Sequence, residues 1–168
     1  MPAKKQLLLL RHAKAEGISA EKADIDRILL PSGQDHAHQI GNYIQNTIGT
    51  PDQILCSPAQ RAQQTMKELD LSPTNIKIEP TLYGAYGSTL LKRIEEQSKT
   101  IKTLLLIAHN PSISQLASRL AGTFLGDLPT CGLVHLKINA TCWTEVSEAS
   151  TTLLAPSYAK KEDKTSKN

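Results

Sequence analysis

Three stretches of the chain end in side chains that can bind and attack an anion. Each stretch is a short, mostly apolar run typical of a buried strand, and polar residues follow it directly. The junctions are LLLL-Arg11-His12, QILC-Ser57 with Arg61 four residues further on, and LLLIA-His109-Asn110. Arginine binds phosphate through two parallel hydrogen bonds, and a neutral imidazole is a competent nucleophile. The residue types therefore indicate a site for a dianion, of which phosphate is the natural candidate.

A repeating order of elements positions these junctions. Apolar periodicity and turn signals predict the order β-α-β-α-β-α-β-α-β-β. Strands buried on both faces are typical of a parallel sheet covered by helices, so we expect a three-layer α/β/α fold with a mixed, mostly parallel sheet. Right-handed crossovers bring the carboxyl ends of parallel strands to one edge, where the sites of such folds lie. The three junctions are therefore expected to meet.

Two helices are also expected to begin at this edge. Ser57-Pro58 and Asn110-Pro111 each have the form of an N-cap residue followed by proline at the first helical position. Helix N-termini present unpaired N–H groups and a positive dipole end, which favours an anion. Arg61 lies one turn into the first of these helices. Its side chain is expected to lean back towards the edge.

His12 is the expected nucleophile because it lies directly at a strand end. Its second ring nitrogen is expected to donate to a backbone carbonyl, which fixes the tautomer. Positive charge around it favours the neutral imidazole that attack requires. Arg11, Arg61 and His109 would then hold the phosphoryl oxygens. Water would hydrolyse the phospho-His12 intermediate in a second step.

Three other segments complete the prediction. Residues 17–31 show no clean period and are expected to form a loop over the site, whose charged Asp24 and Asp26 are interpreted as solvated. Residues 133–138 and 141–146 alternate in polarity and predict an edge hairpin. Residues 1–155 are expected to form a single domain. Residues 156–168 are expected to be a disordered polar tail.

Composition limits the class of protein. The 168 residues are 39% apolar and 21% charged, which is ordinary for a soluble globular domain. The net charge is +3, and the last ten residues carry +2 of it, so the body is too close to neutral for a nucleic-acid surface. The apolar runs are too short to span a bilayer or to form a signal peptide. Three cysteines without a CxxC pair indicate a reduced, cytoplasmic chain.

The stretches LLLLRHAKAE, ILCSPAQRAQQT and LLLIAHNPSIS resemble the three signature stretches of the histidine phosphatase superfamily, which has the phosphoglycerate mutase-like fold. Within the superfamily, the short length, RHA, DRILLPSG and EPTLYGA are similar to the SixA-type phosphohistidine phosphatases. The resemblance covers roughly residues 5–147. It implies that His12 is the phosphorylated nucleophile. It implies a phosphate pocket completed by Arg11, Arg61 and His109, with Ser57, Asn110 and Arg27 near it as substrate-binding residues.

One position departs from the pattern of many superfamily members. They carry a proton-donating glutamate two residues after a leucine that corresponds to Leu82, whereas this chain has Gly84 there. A phosphoester needs its alkoxide leaving group protonated. The imidazole of phosphohistidine can leave neutral once its ring is protonated. The chain also has no long insertion for a helical cap, and an open pocket suits a phosphorylated side chain on another protein.

The sequence therefore predicts a metal-independent, cofactor-free phosphatase of phosphohistidine on a protein. The expected partner is a phosphorylated histidine phosphotransfer (HPt) domain or phosphocarrier protein, with no nucleic-acid or membrane partner, and phosphate or sulfate is expected to bind the same site. One alternative is a phosphatase of a small phosphoester or sugar phosphate, with an acid among Asp24, Asp26 and Glu79. The other is a non-catalytic phosphohistidine-binding module.

A cysteine-based phosphatase and a metallophosphatase are both excluded by the residues present. A cysteine-based enzyme needs five residues between its Cys and Arg, with backbone N–H groups that cradle phosphate. Cys56 and Arg61 enclose four, and Pro58 lacks an N–H. A metallophosphatase needs a cluster of Asp and His that the sequence lacks. Cys56 is expected to be a buried strand residue.

Overall fold

The computed structural model describes the backbone of residues 4–158 and the side chains of residues 4–154. The strands are β1 (Lys5–Arg11), β2 (Gln53–Cys56), β3 (Asn75–Ile78), β4 (Thr103–Ala108), β5 (Leu133–Ile138) and β6 (Thr151–Tyr158). The helices are α1 (Pro31–Thr47), α2 (Gln60–Glu68), α3 (Gly87–Glu95) and α4 (Ser112–Ala121). The predicted order of strands and helices is confirmed.

The six strands form one mixed sheet in the order β3-β2-β4-β1-β5-β6. Strands β1 to β4 run parallel, whereas β5 is antiparallel to both β1 and β6. The register aligns Arg11 with Ala108 and Cys56 with Ile107. The residues that follow β1, β2 and β4 therefore emerge at the same level of one sheet edge.

Helices cover both faces of this sheet. Leu7, Leu8, Leu9 and Leu10 of β1 are all 0% exposed. Because successive strand residues point to opposite faces, Leu7 and Leu9 pack with α3 and α4, and Leu8 and Leu10 pack with α1 and α2. Each buried leucine contributes about 2 kcal/mol of transfer free energy, so β1 is a firm support for the residues at its end. The predicted three-layer fold is confirmed, and the described residues include no large helical cap.

The predicted edge hairpin is wrong in its second strand. Residues 141–146 contain a short 3₁₀ helix, Trp143–Glu145, and the strand that pairs with β5 is β6. The reason is Trp143, whose ring is fully buried and whose Nε1 donates to the carbonyl of Ile101 at 2.9 Å. Burial of this ring in the core overrides the alternating pattern. The boundary predicted at residue 155 falls inside β6, and residues 159–168 lie outside the described part of the chain.

The two helices at the site begin later than predicted. Helix α2 has Ala59 as its N-cap and α4 has Pro111, and neither uses a side-chain cap. The hydroxyl of Ser57 accepts from the Ala59 N–H at 3.2 Å, but it also contacts His109, so it serves the site more than the helix. Arg61 consequently lies in the first turn of α2, close to its start.

No helix within residues 4–158 is both long and apolar enough to cross a membrane. The cytoplasmic location stays a prediction.

Candidate active site

His12 lies just beyond the end of β1 and is 8% exposed. Its Nδ1 is 2.8 Å from the carbonyl oxygen of Ala13. Because a carbonyl oxygen only accepts, Nδ1 carries the proton and Nε2 is the unprotonated nitrogen. This is the tautomer predicted from the sequence, with the nucleophilic nitrogen directed away from the backbone.

Burial lowers the pKa of His12 to about 3, and the positive charges of Arg61 and Arg11 act in the same direction. The hydrogen bond to Ala13 opposes this effect and is outweighed. His12 is therefore a neutral imidazole at physiological pH. A neutral imidazole with a free Nε2 has the lone pair that attack on phosphorus requires.

Arg61 faces that lone pair. Its Nε donates to His12 Nε2 at 3.4 Å, and its side chain is 6% exposed. A hydrogen-bond chain ties the helix that carries it to the end of β1. The hydroxyl of Thr65 donates to the carbonyl of Arg61 at 2.7 Å and accepts from the Ala13 N–H at 2.9 Å. Arg61 and His12 are thus held relative to one another by both backbone and side chains.

His109 follows β4 and lies beside His12. The His12 and His109 ring centroids are 5.1 Å apart. His109 Nε2 is 2.7 Å from the hydroxyl of Ser57, which is fully buried. Burial, with the nearby charge of Arg61, lowers the pKa of His109 to about 4. The Nδ1 atom of His109 is buried and has no hydrogen-bond partner among the described residues, so it remains available to a ligand.

Arg11 and Asn110 converge on one backbone carbonyl. The Nη1 of Arg11 and the Nδ2 of Asn110 each donate to the carbonyl oxygen of Leu128 at 2.9 Å. Ser114 completes the network, because its hydroxyl donates to Asn110 Oδ1 and accepts from the Leu128 N–H. Asn110 thus holds the segment before β5 against the site. The Nε of Arg11 is buried without a partner in the described chain, and burial lowers the pKa of Arg11.

The loop between β1 and α1 lies over Arg61, as the prediction for residues 17–31 required. Asp24 and Asp26 in this loop are exposed, as expected, but the carboxylate of Asp24 is also bound by protein groups. The Asp24 carboxylate accepts from Arg61 at 3.1 Å, from Arg27 at 3.0 Å and from the hydroxyl of Tyr83 at 2.6 Å. Arg27 also donates to the carbonyl of Glu16 at 2.6 Å, so it braces the loop.

Sequence reasoning missed the contacts of Asp24 with Arg61 and Tyr83, since it offered Asp24 only as a solvated residue or as a candidate acid. The Tyr83 ring packs edge-on against His109, with centroids 5.7 Å apart. Asp24 and Tyr83 are separated by 59 positions in the chain. No local sequence pattern links two such positions. Only the fold shows that they meet.

Residues proposed for other mechanisms lie in unsuitable surroundings. Cys56 is fully buried, and burial raises the pKa of its thiol to about 12. The hydrogen bond from Tyr83 is the main cause that lowers the pKa of Asp24 to about 2, so this carboxylate is ionised and has no proton to donate. Gly84 has a φ of 65°, and a Cβ there would meet nothing within 4 Å. The position that carries an acid in other proteins is open space here.

The arrangement can bind a tetrahedral oxyanion and attack it. The guanidinium groups of Arg11 and Arg61 lie close enough to the neutral imidazoles of His12 and His109 to lower the pKa of both rings. The Nε of Arg11 and the Nδ1 of His109 are buried without a hydrogen-bond partner among the described residues. Guanidinium groups match phosphate oxygens in geometry and charge. The structure thus brings together the side chains predicted from the three junctions, places Arg27 near them as the resemblance implied, and adds the carboxylate of Asp24 between Arg27 and Arg61.

Comparison with known proteins gives consistent relationships. The sequence profile of the histidine phosphatase superfamily (branch 1) matches residues 7–88. Rv1276c, an uncharacterized protein of Mycobacterium tuberculosis, is 31% identical over 158 residues, which cover 86% of this chain and 96% of that protein. This relative therefore matches a larger share of the chain than the profile does.

Solved structures share the fold. SixA of Nakamurella multipartitia matches with a TM-score of 0.81 at 23% identity, covering 92% of this chain and 96% of that chain. SixA of Agrobacterium tumefaciens matches with a TM-score of 0.78 at 26% identity, covering 95% and 99%. A third match, with a TM-score of 0.72 at 21% identity over 88% and 93%, is the protein histidine phosphatase SixA complexed with tungstate. By its sequence relationships and its fold, this chain belongs to the histidine phosphatase superfamily, branch 1.

Proposed function

We propose that this protein is a phosphatase that removes the phosphoryl group from phosphohistidine on another protein, through a phospho-His12 intermediate. The observation that carries the proposal is the fixed tautomer of His12. Its Nδ1–H donates to the carbonyl of Ala13, while Nε2 faces Arg61 at 3.4 Å. A nucleophile held in this way keeps one proton on the ring throughout the reaction.

In the first step, the lone pair of His12 Nε2 attacks phosphorus, and the bond from phosphorus to the substrate imidazole breaks. The substrate ring carries a proton on its other nitrogen, so it leaves as a neutral imidazole. Arg11, Arg61 and His109 stabilise the charge on the equatorial oxygens of the transferring group. The His12 ring becomes phosphorylated on Nε2 and retains the proton on Nδ1.

In the second step, the oxygen of a water molecule attacks phosphorus of phospho-His12. The bond from phosphorus to Nε2 breaks, and the ring returns to the neutral Nδ1–H tautomer that Ala13 accepts from. Both protons of the water leave on the phosphate. The phosphoryl group thus passes first from the substrate imidazole to His12 and then from His12 to water. Neither step takes a proton from an acidic side chain.

This balance favours phosphohistidine over a phosphoester. An alkoxide leaving group has to be protonated as it departs, which requires a general acid. Gly84 has no acidic side chain, and the pKa of Asp24 is about 2, so its carboxyl group has no proton to donate near neutral pH. Glu79 is engaged with the hydroxyl of Thr81, which donates to it at 3.0 Å. A phosphoester therefore lacks the assistance that phosphohistidine does not need.

The partner we propose is a phosphorylated HPt domain or a phosphocarrier protein. A pocket without a large cap admits a phosphorylated side chain that projects from a folded surface. The similar structure of the protein histidine phosphatase SixA is a complex with tungstate, an oxyanion, and this supports an oxyanion site in the present protein. Phosphate and sulfate are expected to compete for this pocket because they share the tetrahedral geometry and charge.

Substrate comparison tests the proposal. Purified protein is mixed with a ³²P-labelled phospho-HPt domain and, separately, with a panel of sugar phosphates, and phosphate release is measured at equal substrate concentration. We expect faster release from the phospho-HPt domain. Faster release from a sugar phosphate would contradict the phosphohistidine assignment. If the protein bound the HPt domain only when that domain is phosphorylated, and released no phosphate from it, the protein would instead be a binding module.

Cysteine chemistry is tested in the same assay. Cys56→Ser is expected to keep the activity of the wild type, because Cys56 is buried on β2 with a thiol that stays protonated. Acid-labile, alkali-stable label on the enzyme is expected during turnover, as for a phosphoramidate. Label that survives acid would point to another nucleophile.

A further inference from the structure

Asp24 occupies an unusual place for a carboxylate, because it lies beside a site built to bind a dianion. It begins a short 3₁₀ helix, Asp24–Asp26, in the loop that covers α2. Its side chain is 43% exposed, so screening by water limits what its ion pairs add to stability. A negative charge here also weakens the attraction of the site for phosphate. We therefore consider how Asp24 affects the orientation of neighbouring side chains.

The geometry concerns the guanidinium of Arg61. Its Nη1 donates to the backbone carbonyl of Asp24 at 2.7 Å, and its Nη2 donates to Asp24 Oδ2 at 3.1 Å. A guanidinium carries five N–H groups in one rigid plane. When one residue engages both terminal nitrogens, the rotation of that plane is fixed. The edge that remains, formed by Nε and the second N–H of Nη2, is the edge that faces His12 Nε2.

Asp24 is itself fixed from two further directions. The hydroxyl of Tyr83 donates to Oδ2 at 2.6 Å, and the Nε of Arg27 donates to Oδ1 at 3.0 Å. Tyr83 is in turn packed against His109. The carboxylate is thus a junction between the loop, the segment after β3 and helix α2. Each of its oxygens has a defined partner, so it cannot turn without the loss of a hydrogen bond.

We infer that Asp24 is a positioning residue that clamps the end of Arg61, so that the Nε edge of the guanidinium meets the phosphoryl group at the moment of attack by His12. This inference rests on the proposed function, because it assigns a role within that reaction. Tyr83 supports the clamp through its hydroxyl. Asp24 touches neither the nucleophile nor the phosphoryl group, and it acts through Arg61 alone.

A clamp of this kind affects turnover and ground-state binding differently. Asp24→Asn leaves Arg61 charged but weakens the hold on Nη2 and removes the negative charge beside the anion. We expect kcat to fall roughly 10- to 100-fold, because small displacements of a catalytic group cost about that much. The inhibition constant for tungstate is expected to stay within about threefold of wild type, since charge attraction does not need the oriented edge.

Asp26→Asn is the matched control. It makes the same chemical change in the same short helix, at a side chain that is exposed and lies away from the Arg61 contacts. Kinetics on a phospho-HPt domain, tungstate inhibition and melting temperature are measured for both variants. Asp26→Asn is expected to match wild type in all three. Equal kcat in Asp24→Asn and wild type would overturn the inference, and so would a parallel loss of tungstate binding and melting temperature.

A spectroscopic readout does not depend on the substrate. In the ¹H–¹⁵N spectrum, the Nε–H signal of Arg61, assigned by its loss in Arg61→Lys, is expected to be sharp in wild type and Asp26→Asn. It is expected to broaden or vanish in Asp24→Asn. A sharp signal in Asp24→Asn would show that the guanidinium is held by something else, against the inference.

Tyr83→Phe decides the matter if Asp24→Asn does not fold. It keeps the ring that packs on His109 and removes only the hydroxyl that holds Asp24. We expect roughly a three- to tenfold lower kcat, because one of several supports of the clamp is lost. An unchanged kcat would argue against the clamp. Wild-type protein that releases no phosphate from any substrate would instead refute the proposed function, whatever the variants do.

Discussion

Strand β1 begins with a buried cation, Lys5, and ends with a partly buried one, Arg11, and the two differ in how fully their N–H groups are hydrogen-bonded. Lys5 is 2% exposed and donates to the carbonyls of Lys99 and Ile101, each at 2.8 Å. Its Nζ also lies 5.1 Å from the centroid of the Trp143 ring. At the other end, Arg11 donates from Nη1 to one carbonyl, and its Nε is buried with no partner among residues 4–158.

This difference suggests that the two ends of β1 have different roles, one in stability and one in the candidate site. A buried polar group without a partner costs about 1–3 kcal/mol, so folding alone does not favour it. At the Lys5 end, the ammonium has carbonyls and a ring around it, and nothing is left for a ligand. At the Arg11 end, the buried Nε has no partner among the described residues, and the neutral imidazole of the proposed nucleophile, His12, follows directly in the chain. The first end should therefore govern stability and the second end activity.

The largest effect is expected from His12→Ala. We expect phosphate release to fall by roughly 10³-fold or more, about 4 kcal/mol in the activation barrier, because no phosphoenzyme forms without the imidazole. Melting temperature should change little, since the side-chain hydrogen bonds of His12 are a local one to Ala13 and a long one, at 3.4 Å, from Arg61. Phosphate release and differential scanning calorimetry measure the two quantities.

His38→Ala is the control for that variant, because His38 is an exposed histidine of helix α1, remote from the three junctions. It should be indistinguishable from wild type. Wild-type rates in His12→Ala would remove the basis of the phospho-His12 mechanism. A large drop in its melting temperature would remove the contrast between the two ends of β1.

The second largest effect is expected at the other end of the strand, from Lys5→Met. This change leaves the carbonyl of Lys99 without its buried donor, and the carbonyl of Ile101 with only the donation from Trp143 Nε1. We expect about 3 kcal/mol lower unfolding free energy, from the loss of two charge-assisted hydrogen bonds in the interior. The kcat of the folded fraction should equal that of wild type.

Lys4→Met tests whether burial is the reason, since Lys4 is the exposed neighbour of Lys5. Chemical denaturation of Lys4→Met should give the midpoint of wild type. If both lysine variants lost the same stability, the loss would come from net charge. If Lys5→Met lost activity while folded, the two ends of β1 would be coupled.

The three junctions of the candidate site were predictable because each is marked by a pattern of a few consecutive residues. A buried strand followed at once by Arg11-His12 or by His109 is visible in a few residues, and parallel pairing then aligns the strand ends. The order of elements and the three layers followed from the same periodicity. The predicted helix caps failed because the hydroxyl of Ser57 is shared with His109, a residue 52 positions away.

Other features depend on contacts that no local pattern contains. The clamp on Arg61 joins a loop residue, Asp24, to Tyr83 across 59 positions. The edge strand was misplaced because residues 141–146 alternate in polarity, while the deciding quantity was the burial of Trp143 under Ile101. In both cases tertiary contacts select between conformations that the sequence pattern leaves open.

The smallest effect concerns the response of the two ends of β1 to pH. Burial lowers the pKa of His12 to about 3 from its ordinary value of 6.5, so the imidazole stays neutral in the folded protein while it gains a proton in the unfolded chain. The unfolded state therefore binds more protons as pH falls below about 6.5, and stability decreases. From about pH 7.5 to about pH 5 the loss due to His12 should be about 2 kcal/mol. The pKa of Lys5 is lowered from 10.5, and stability linked to it changes only at alkaline pH.

Chemical denaturation of wild type and His12→Ala across this range separates the two ends. The burial of His109 lowers its pKa in the same direction, so both proteins should lose stability in acid, but His12→Ala should lose about 2 kcal/mol less. Asp24 stays ionised throughout, since its pKa is about 2 in the folded protein, so it does not obscure the difference. Identical slopes would mean that the pKa of His12 is the same in the folded and unfolded protein, near 6.5, so that burial does not keep the imidazole neutral in mild acid. An imidazolium has no lone pair on Nε2, so the proposed attack would then be lost as the pH falls below about 6.5.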